Sequence, residues 1–340
     1  MMQLWCLCFL ATFAIVSNVS AFNCTQQAKV ILFNVDGFRY DLLDMAKQRN
    51  VNISAFDKIR QYGVYIQGIK SVFPTLQYPT KYSMLTGLYP ESHGIVADQF
   101  YDPILDVTIK AGLSDAGIYN VGGEPIWITN QLHGYKSGVI GWSGIGAKVK
   151  SLSPTLLESS FKELKEYFDI LMDWFQNENI TLAVVNYDYL GETSKSYGAE
   201  DNFVFEAIKT INVGLEHLLT LINERPWLSH CLNLIISSGH GMINGNGDKL
   251  IYLDDYLKPI EYTTTDEEIG AVYSLWPKSG STPESLYSKL KDKHRNLKVY
   301  RKNEIPAHLF YKSNVRIGPI VLIADFGWTI VVDRLFVQTS

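Results

Sequence analysis

The sequence has no cluster of lysine and arginine residues, and its formal net charge at pH 7 is −5. Proteins that bind nucleic acid through its backbone carry a concentrated positive patch, so nucleic acid is not expected as a partner. There is also no proline-, glycine- or serine-rich stretch, no run of like charges and no internal repeat. Their absence excludes solenoids and flexible linkers and favours one compact domain.

The chain begins with an apolar run from Leu4 to Val16, followed by a polar stretch that ends in Val19-Ser20-Ala21. This pattern predicts a signal peptide over residues 1–21, a mature domain over 22–340 and secretion out of the cell. A retained short signal anchor is the alternative, although the run is shorter than the roughly 18 residues that span a bilayer. No later segment is apolar enough to serve as a transmembrane anchor after cleavage.

Cysteine is scarce, with four residues in the whole chain, two of which lie in the predicted signal peptide. Cys24 and Cys231 remain, which is too few for a disulfide-dense scaffold. In an oxidising compartment a Cys24–Cys231 disulfide is one expectation, and two unpaired thiols are the other. N-x-S/T sequences at Asn23, Asn52 and Asn179 predict glycosylated surface positions in a secreted protein.

Three apolar, β-branched runs predict strands, the first of them a central parallel strand buried on both faces, and two helical stripes separate them. The strands are KVILFNVDG at 29–37, ITLAVVNY at 180–187 and NLIISSGHG at 233–241. The stripes are Leu157, Phe161, Leu164, Phe168, Leu171 and Phe175, then Ile208, Ile211, Leu215, Leu218 and Ile222 after a capping Asp201. The alternation predicts an α/β fold with a mostly parallel central sheet flanked by helices on both faces.

Ligands of such sheets bind at the carboxyl ends of the strands. Asp36 follows the first predicted strand, residues 188–195 follow the second, and Gly239-His240 end the third. We therefore expect these three segments to meet in one site.

Residues 72–96, VFPTLQYPTKYSMLTGLYPESHGIV, resemble the nucleophile segment of the ecto-nucleotide pyrophosphatase/phosphodiesterase family, in the alkaline phosphatase superfamily. FNVDGFRYDLL from Phe33, GGEPIW from Gly122, SSGHGM ending at Met242 and IGPIVLIADFGWTI at 317–330 match further family segments in the same order. The resemblance covers most of the chain. It implies an alkaline phosphatase-like α/β fold.

Members of this family bind two zinc ions through six Asp and His side chains, and a Thr attacks phosphorus. The cations neutralise the phosphoryl oxygens and lower the pKa of the nucleophile. By the resemblance, Asp36 and His240 keep two ligand positions as remnants, whereas Gly191, Lys195 and Gly239 occupy three that are lost. The sixth has no counterpart before the chain ends, which implies a domain C-terminally truncated relative to the family.

The resemblance places the family's nucleophilic Thr on Gln77 and its oxyanion-binding Asn on Thr80. Because Gln carries no attacking hydroxyl, the chain is predicted to be a pseudo-phosphodiesterase without catalytic residues and without fully bound zinc. Lys81 and Lys195 are predicted to be surface lysines. A sharper hypothesis places the Lys195 ammonium where a zinc ion would lie, between Asp36 and Asp188.

A shift of the alignment along the chain instead brings Asp188 and Glu192 to the ligand positions that the ungapped alignment gives to Gly191 and Lys195. It is the basis of the alternative prediction, an active zinc-dependent hydrolase of nucleotides or choline phospholipids. For the non-catalytic protein, the expected partners are a phosphorylated small molecule, a lipid headgroup or another extracellular protein.

Overall fold

The computed structural model describes residues 27–334, except 114–115, 120–121, 143, 145 and 265–268. Its strands are β1 (Lys29–Val35), β2 (Gln99–Asp102), β3 (Val107–Lys110), β4 (Ser137–Ile140), β5 (Leu156–Glu158), β6 (Leu182–Tyr187), β7 (Leu232–Ser237), β8 (Leu250–Tyr252), β9 (Tyr262–Thr264), β10 (Ile269–Gly270), β11 (Val272–Pro277), β12 (Leu297–Arg301), β13 (Ile320–Ala324) and β14 (Thr329–Val331).

The α-helices are α1 (Leu42–Gln48), α2 (Ser54–Tyr62), α3 (Gln77–Thr86), α4 (Pro90–His93), α5 (Ala116–Tyr119), α6 (Ile126–Leu132), α7 (Leu164–Asn177), α8 (Tyr189–Tyr197), α9 (Asn202–Asn223), α10 (Pro226–Ser229) and α11 (Pro283–Leu290). Short 3₁₀ turns cover Leu253–Asp255, Lys302–Glu304 and Ala307–Leu309.

The central sheet has five parallel strands in the order β5-β4-β6-β1-β7. Alternate residues of β1 point to opposite faces. Ile31, Phe33 and Val35 pack into a core with α1, α2, α7 and α9, whereas Leu32 packs into a second core with α3 and α6. The predicted α/β fold, with a mostly parallel sheet between helices, is therefore confirmed.

The C-terminal part of the described chain adds smaller sheets. One is an antiparallel sheet in the order β12-β13-β11-β9, and another pairs β14 with β10 and β8. A third core forms here from side chains that include Leu275, Leu286 and Leu322. The IGPIVLIADFGWTI segment supplies β13 and most of β14.

One helical stripe extends less far than its pattern predicts. Leu157 lies in β5, which pairs with β4, and Phe161 is 77% exposed in the loop before α7. Pairing with a neighbouring strand, a tertiary contact, overrode the local helical spacing there. The second stripe is helical as predicted, and the Asp201 side chain caps α9 by accepting from the Phe203 amide at 2.9 Å.

Among the described residues, no helix is both long and apolar enough to cross a membrane. The predicted signal peptide lies outside the described residues.

Candidate functional site

The carboxyl ends of β1, β6 and β7 bring the three expected segments together. Asp36 follows β1, Asp188 is the N-cap residue of α8 after β6, and His240 lies three residues beyond β7. Gly37 has a left-handed φ of 71°, and a Cβ there would lie 2.9 Å from the Gly191 Cα. Glycine at both positions lets the end of β1 touch α8.

Asp36 is fully buried, and neither of its carboxylate oxygens makes a hydrogen bond with the described residues. Its ionic neighbours are the Lys81 Nζ and the His240 Nε2, each 3.5 Å from Oδ1. Burying a carboxylate is costly unless an opposite charge compensates it. The charge on Asp36 therefore depends on these two side chains.

The orientation of His240 is set by its backbone. Its Nδ1 lies 3.0 Å from the Gly241 carbonyl oxygen, and because a carbonyl only accepts, Nδ1 carries the proton in this bond. The other ring nitrogen, Nε2, is thereby directed towards Asp36.

Lys81 is not the surface lysine that the sequence predicts. It lies on α3 with 4% of its side chain exposed, and its Nζ donates to Asp188 Oδ1 at 2.5 Å. The prediction was wrong because α3 buries nearly all of its middle turns, including Thr80 and Ser83, so the residue type gave no sign of the environment.

Asp36, Lys81, Asp188 and His240 together line a cleft at the carboxyl ends of the strands. Lys195 lies nearer its rim, with 42% of its side chain exposed. Its Nζ donates to Glu192 Oε1 at 3.0 Å and to Gln77 Oε1 at 3.3 Å. Desolvation opposes its charge, but the hydrogen bond and charge of Glu192, with the charges of Asp36 and Asp98, raise the pKa of Lys195. The hypothesis that Lys195 pairs with Asp36 and Asp188 is wrong in its contacts, because Lys81 makes them.

Gln77 is the first residue of α3, and Thr80 is buried one turn later. The Thr80 hydroxyl donates to the Leu76 carbonyl at 2.6 Å and lies 3.2 Å from the Gln77 carbonyl. Bonding to its own helix is the ordinary behaviour of a helical Thr. The hydroxyl is thus held by the backbone of α3.

The two glycines that the resemblance places at carboxylate ligand positions lie against polar atoms. A Cβ on Gly191 would be 2.5 Å from Asp36 Oδ2, and one on Gly239 would be 2.8 Å from Thr80 Oγ1. Both distances are below any normal carbon–oxygen contact. Neither position accepts a side chain without movement of its surroundings.

Asp98 is a site residue that the sequence reasoning missed. Its Oδ1 accepts from the Tyr78 amide at 2.7 Å, so its carboxylate lies at the N-terminus of α3. Burial raises the pKa of Asp98, although hydrogen bonds from the Tyr78 and Gln77 amides act in the opposite direction. The residue follows the helix in sequence, so no local capping pattern could identify it.

Ser83 and His93 form a buried pair beside the cleft, with Oγ and Nε2 2.9 Å apart. His93 Nδ1 accepts from the Ile95 amide at 3.1 Å, so the proton is on Nε2 and is donated to Ser83. Burial lowers the pKa of His93 to about 3. This imidazole cannot take the serine proton, so the pair is no hydrolase nucleophile.

A cavity of about 380 Å³ lies between α3 and the end of β7. Its lining includes Lys70, Ser71, Thr80, Tyr89 and Ser238. The volume is in the range of small-molecule sites.

The remaining predicted positions lie away from the cleft. Asn52 and Asn179 are exposed, whereas Asn23 and Cys24 lie outside the described residues. Cys231 is buried and disulfide-bonded. Pairing with Cys24 and glycosylation stay predictions.

Residues 30–335 match the family model described as type I phosphodiesterase / nucleotide pyrophosphatase. Human ectonucleotide pyrophosphatase/phosphodiesterase family member 5 is 34% identical over 316 residues, covering 91% of this chain and 64% of the relative. Bis(5'-adenosyl)-triphosphatase enpp4 of Xenopus laevis is 32% identical, covering 89% of this chain and 66% of the relative. The chain thus spans just under two thirds of the length of these two relatives.

The solved structure of murine ectonucleotide pyrophosphatase/phosphodiesterase 5 superimposes with a TM-score of 0.82 at 32% identity, covering 90% of this chain and 81% of that one. An inactive variant of that murine protein, solved in complex with AMP, superimposes equally well. Since the family model matches nearly the whole described chain, the protein belongs to the type I phosphodiesterase / nucleotide pyrophosphatase family.

Proposed function

We propose that this chain is a non-catalytic, extracellular member of its family that binds a phosphorylated small molecule in the cavity between α3 and the end of β7. The observation that carries the proposal is the pair of closed glycine positions, Gly191 and Gly239, beside Gln77. Carboxylates at those two positions would hold zinc by the family pattern, and here a Cβ alone would collide with Asp36 or Thr80.

The donor set does not fit a two-zinc centre. Asp36 and His240 are two donors, and Asp188, which shares the Lys81 ammonium with Asp36, is bonded to that ammonium. Among the described residues, no group of three or more His, Cys, Asp and Glu side chains is arranged to hold a metal ion. Hydrolysis by metal activation of a nucleophile needs such a group, so the donor chemistry supports the non-catalytic proposal.

Gln77 supports the same conclusion from the side of the nucleophile. Its amide cannot attack phosphorus, and its Oε1 accepts a hydrogen bond from Lys195. The nearby Thr80 hydroxyl is bonded to its own helix. To serve as a substitute nucleophile, the Thr80 hydroxyl would have to leave the Leu76 carbonyl.

Binding is supported by the cavity beside α3, which has the exposed Lys70 in its lining. The Lys70 ammonium suits a phosphate group, whereas the hydroxyls of Ser71, Thr80 and Ser238 already donate to backbone carbonyls. AMP is the natural first probe, since a murine relative is described in complex with it. The predicted signal peptide and the disulfide at Cys231 support an extracellular location.

The second candidate, a zinc-dependent phosphodiesterase, is favoured by one observation. Asp188 and Asp36 both approach the Lys81 ammonium, so the shifted alignment does place a second carboxylate near the first. Glu192, its proposed companion, instead pairs with Lys195 at the rim.

Calorimetric titration of the purified chain with AMP, combined with an assay for hydrolysis of a chromogenic phosphodiester, tests the proposal. We expect AMP binding without turnover, and weaker binding by Lys70→Ala than by the control Lys165→Ala, a change on α7 at the opposite face of the sheet. Chelator-sensitive turnover by the wild-type chain would contradict the non-catalytic proposal. Absence of AMP binding would remove nucleotide monophosphates as the ligand class.

A further inference from the structure

The geometry points to Lys81 as a built-in cation of the cleft. We infer that its ammonium neutralises Asp36 and Asp188 and occupies the position that a divalent cation would need between them. The inference rests on the proposed non-catalytic function, because a zinc ion and the ammonium cannot both occupy this position.

The Asp36 carboxylate lies in the interior with few groups to compensate its charge. It is fully buried and makes no hydrogen bond with the described residues, yet Lys81 Nζ and His240 Nε2 both lie 3.5 Å from Oδ1. Of these two groups the lysine bears an ammonium, whereas the imidazole is charged only when it is protonated. The lysine therefore carries most of the compensation for the buried charge.

Lys81 joins two carboxylates that follow different strands of the central sheet. Its Nζ is 2.5 Å from Asp188 Oδ1 and 3.5 Å from Asp36 Oδ1, so a single positive centre contacts both. A metal ion bound by carboxylates has the same arrangement of one cation between several oxygens. The ammonium reproduces that charge pattern without a ligand from solution.

The backbone of α3 delivers the Lys81 side chain from its buried middle part. The preceding residue, Thr80, has its Oγ1 2.8 Å from where a Cβ on Gly239 would lie. The missing side chain at Gly239 therefore leaves room for α3 beside the loop after β7. Closing this ligand position and burying the lysine are thus two results of one packing arrangement.

Lys195 provides a matched control on the same cleft. It is also a lysine with a carboxylate partner, but it is 42% exposed and contacts Glu192 and Gln77 rather than the buried pair. If only the presence of a positive charge mattered, removing either lysine would destabilise the protein equally. If the buried position matters, removing Lys81 will destabilise the protein more than removing Lys195.

Thermal unfolding of the full mature chain tests the inference with Lys81→Met, Lys81→Arg and Lys195→Met. Met retains most of the length of Lys without its charge, and we expect Lys81→Met to lower Tm by about 5–10 °C. Arg keeps the charge, so Lys81→Arg should recover at least half of that loss, whereas Lys195→Met should change Tm by less than about 2 °C. Equal Tm values for Lys81→Met and Lys195→Met would overturn the inference.

Zinc alone, added during the same melts, tests the second half of the inference. Removing the ammonium frees Asp36, Asp188 and His240 together, so zinc should raise the Tm of Lys81→Met but not of the wild type. A double variant with Asp188→Asn should lose this response. If zinc changes the Tm of neither Lys81→Met nor the wild type, the inference that the ammonium keeps a divalent cation out is overturned, while the proposed function stands. Stabilisation of the wild type by zinc, with turnover, would overturn both.

If Lys81→Met does not fold, the Asp188→Asn and Asp188→Glu variants replace it. Asp188→Asn keeps the lysine but removes its closest anion, and Asp188→Glu preserves the charge. A loss of Tm in the first and not in the second is the expected result. Equal Tm values for the two would contradict the built-in cation.

Discussion

Lys81 Nζ lies 2.5 Å from Asp188 Oδ1, which joins the middle of α3 to the N-cap of α8 through an ion pair inside the cleft. Lys81 is almost fully buried, whereas Asp188 is about one-third exposed. Unlike most ion pairs among the described residues, it combines a buried lysine with contact to a second, fully buried carboxylate, Asp36. The stability of this part of the protein therefore depends on the balance between the Lys81 ammonium and the two carboxylates.

Asp188→Asn should lower the free energy of unfolding by about 1–3 kcal/mol, because the buried lysine loses its closest anionic partner. Glu192→Gln, which removes the exposed partner of Lys195, should cost no more than about 0.5 kcal/mol. Urea denaturation of both variants measures the difference. Equal losses would mean that burial of Lys81 has no energetic role.

Gly191→Ala should destabilise the protein by about 1–3 kcal/mol, although the same change inside a helix ordinarily stabilises it by about 0.5–1 kcal/mol. The sign reverses because the new Cβ would lie 2.5 Å from Asp36 Oδ2. Gly245→Ala is the control, since a Cβ there meets nothing within 4 Å. Stabilisation by Gly191→Ala, measured by urea denaturation, would refute the closed ligand position.

Gln77→Thr should not create phosphodiester hydrolysis, even with zinc added to the assay. The substitution restores a hydroxyl at the start of α3. The zinc ligands that the family pattern places at Gly191, Gly239 and Lys195 are still missing, so no metal ion is held to activate that hydroxyl. A chromogenic phosphodiester assay of the variant and the wild type provides the measurement. Zinc-dependent turnover by the variant alone would show that the nucleophile was the sole missing component.

Stability should fall as the pH is lowered from 6.5 towards 3, in part because of His93. Burial lowers the pKa of His93 to about 3 in the folded state, whereas an unfolded histidine titrates near 6.5. The unfolded chain therefore binds one more proton inside that window, which favours unfolding as the pH falls. Above pH 6.5 the effect vanishes, because both states are neutral.

The His93→Asn variant isolates this contribution. It should be less stable at neutral pH, since the Ser83 and Ile95 hydrogen bonds are altered, but its stability should depend less steeply on pH, by up to about 1.4 kcal/mol per pH unit. Urea denaturation between pH 4 and 6.5, with exposed His308→Asn as control, measures the slopes. An unchanged slope in His93→Asn would contradict neutral burial.

The fold was largely predictable because its signals are local. The three strand runs and the stripe of α9 with its Asp201 cap each depend on residues close in sequence, and the structure has all of them, with β1 buried as predicted and β7 partly exposed at the edge of the sheet. The edge strand β5 was not predictable, since Leu157 reads equally well as part of a helix until its pairing with β4 is known.

The site was predictable in place but not in its contacts. Strand ends located Asp36, Asp188 and His240 correctly, because topology determines where parallel strands end. Which lysine enters the cleft depends on how deeply α3 is buried, and nothing in the sequence distinguishes Lys81 from Lys195 in that respect. Asp98 was missed because its contact with the start of α3 joins residues 20 positions apart in sequence, which no local pattern reveals.

Zinc content of the purified wild-type chain, determined by elemental analysis after dialysis against zinc-containing buffer, distinguishes a non-catalytic protein from a zinc-dependent phosphodiesterase. The non-catalytic account predicts zinc well below one ion per chain, because Lys81 holds Asp36 and Asp188 and two ligand positions are closed. Two tightly held zinc ions per chain, with phosphodiester turnover lost on chelation, would contradict it.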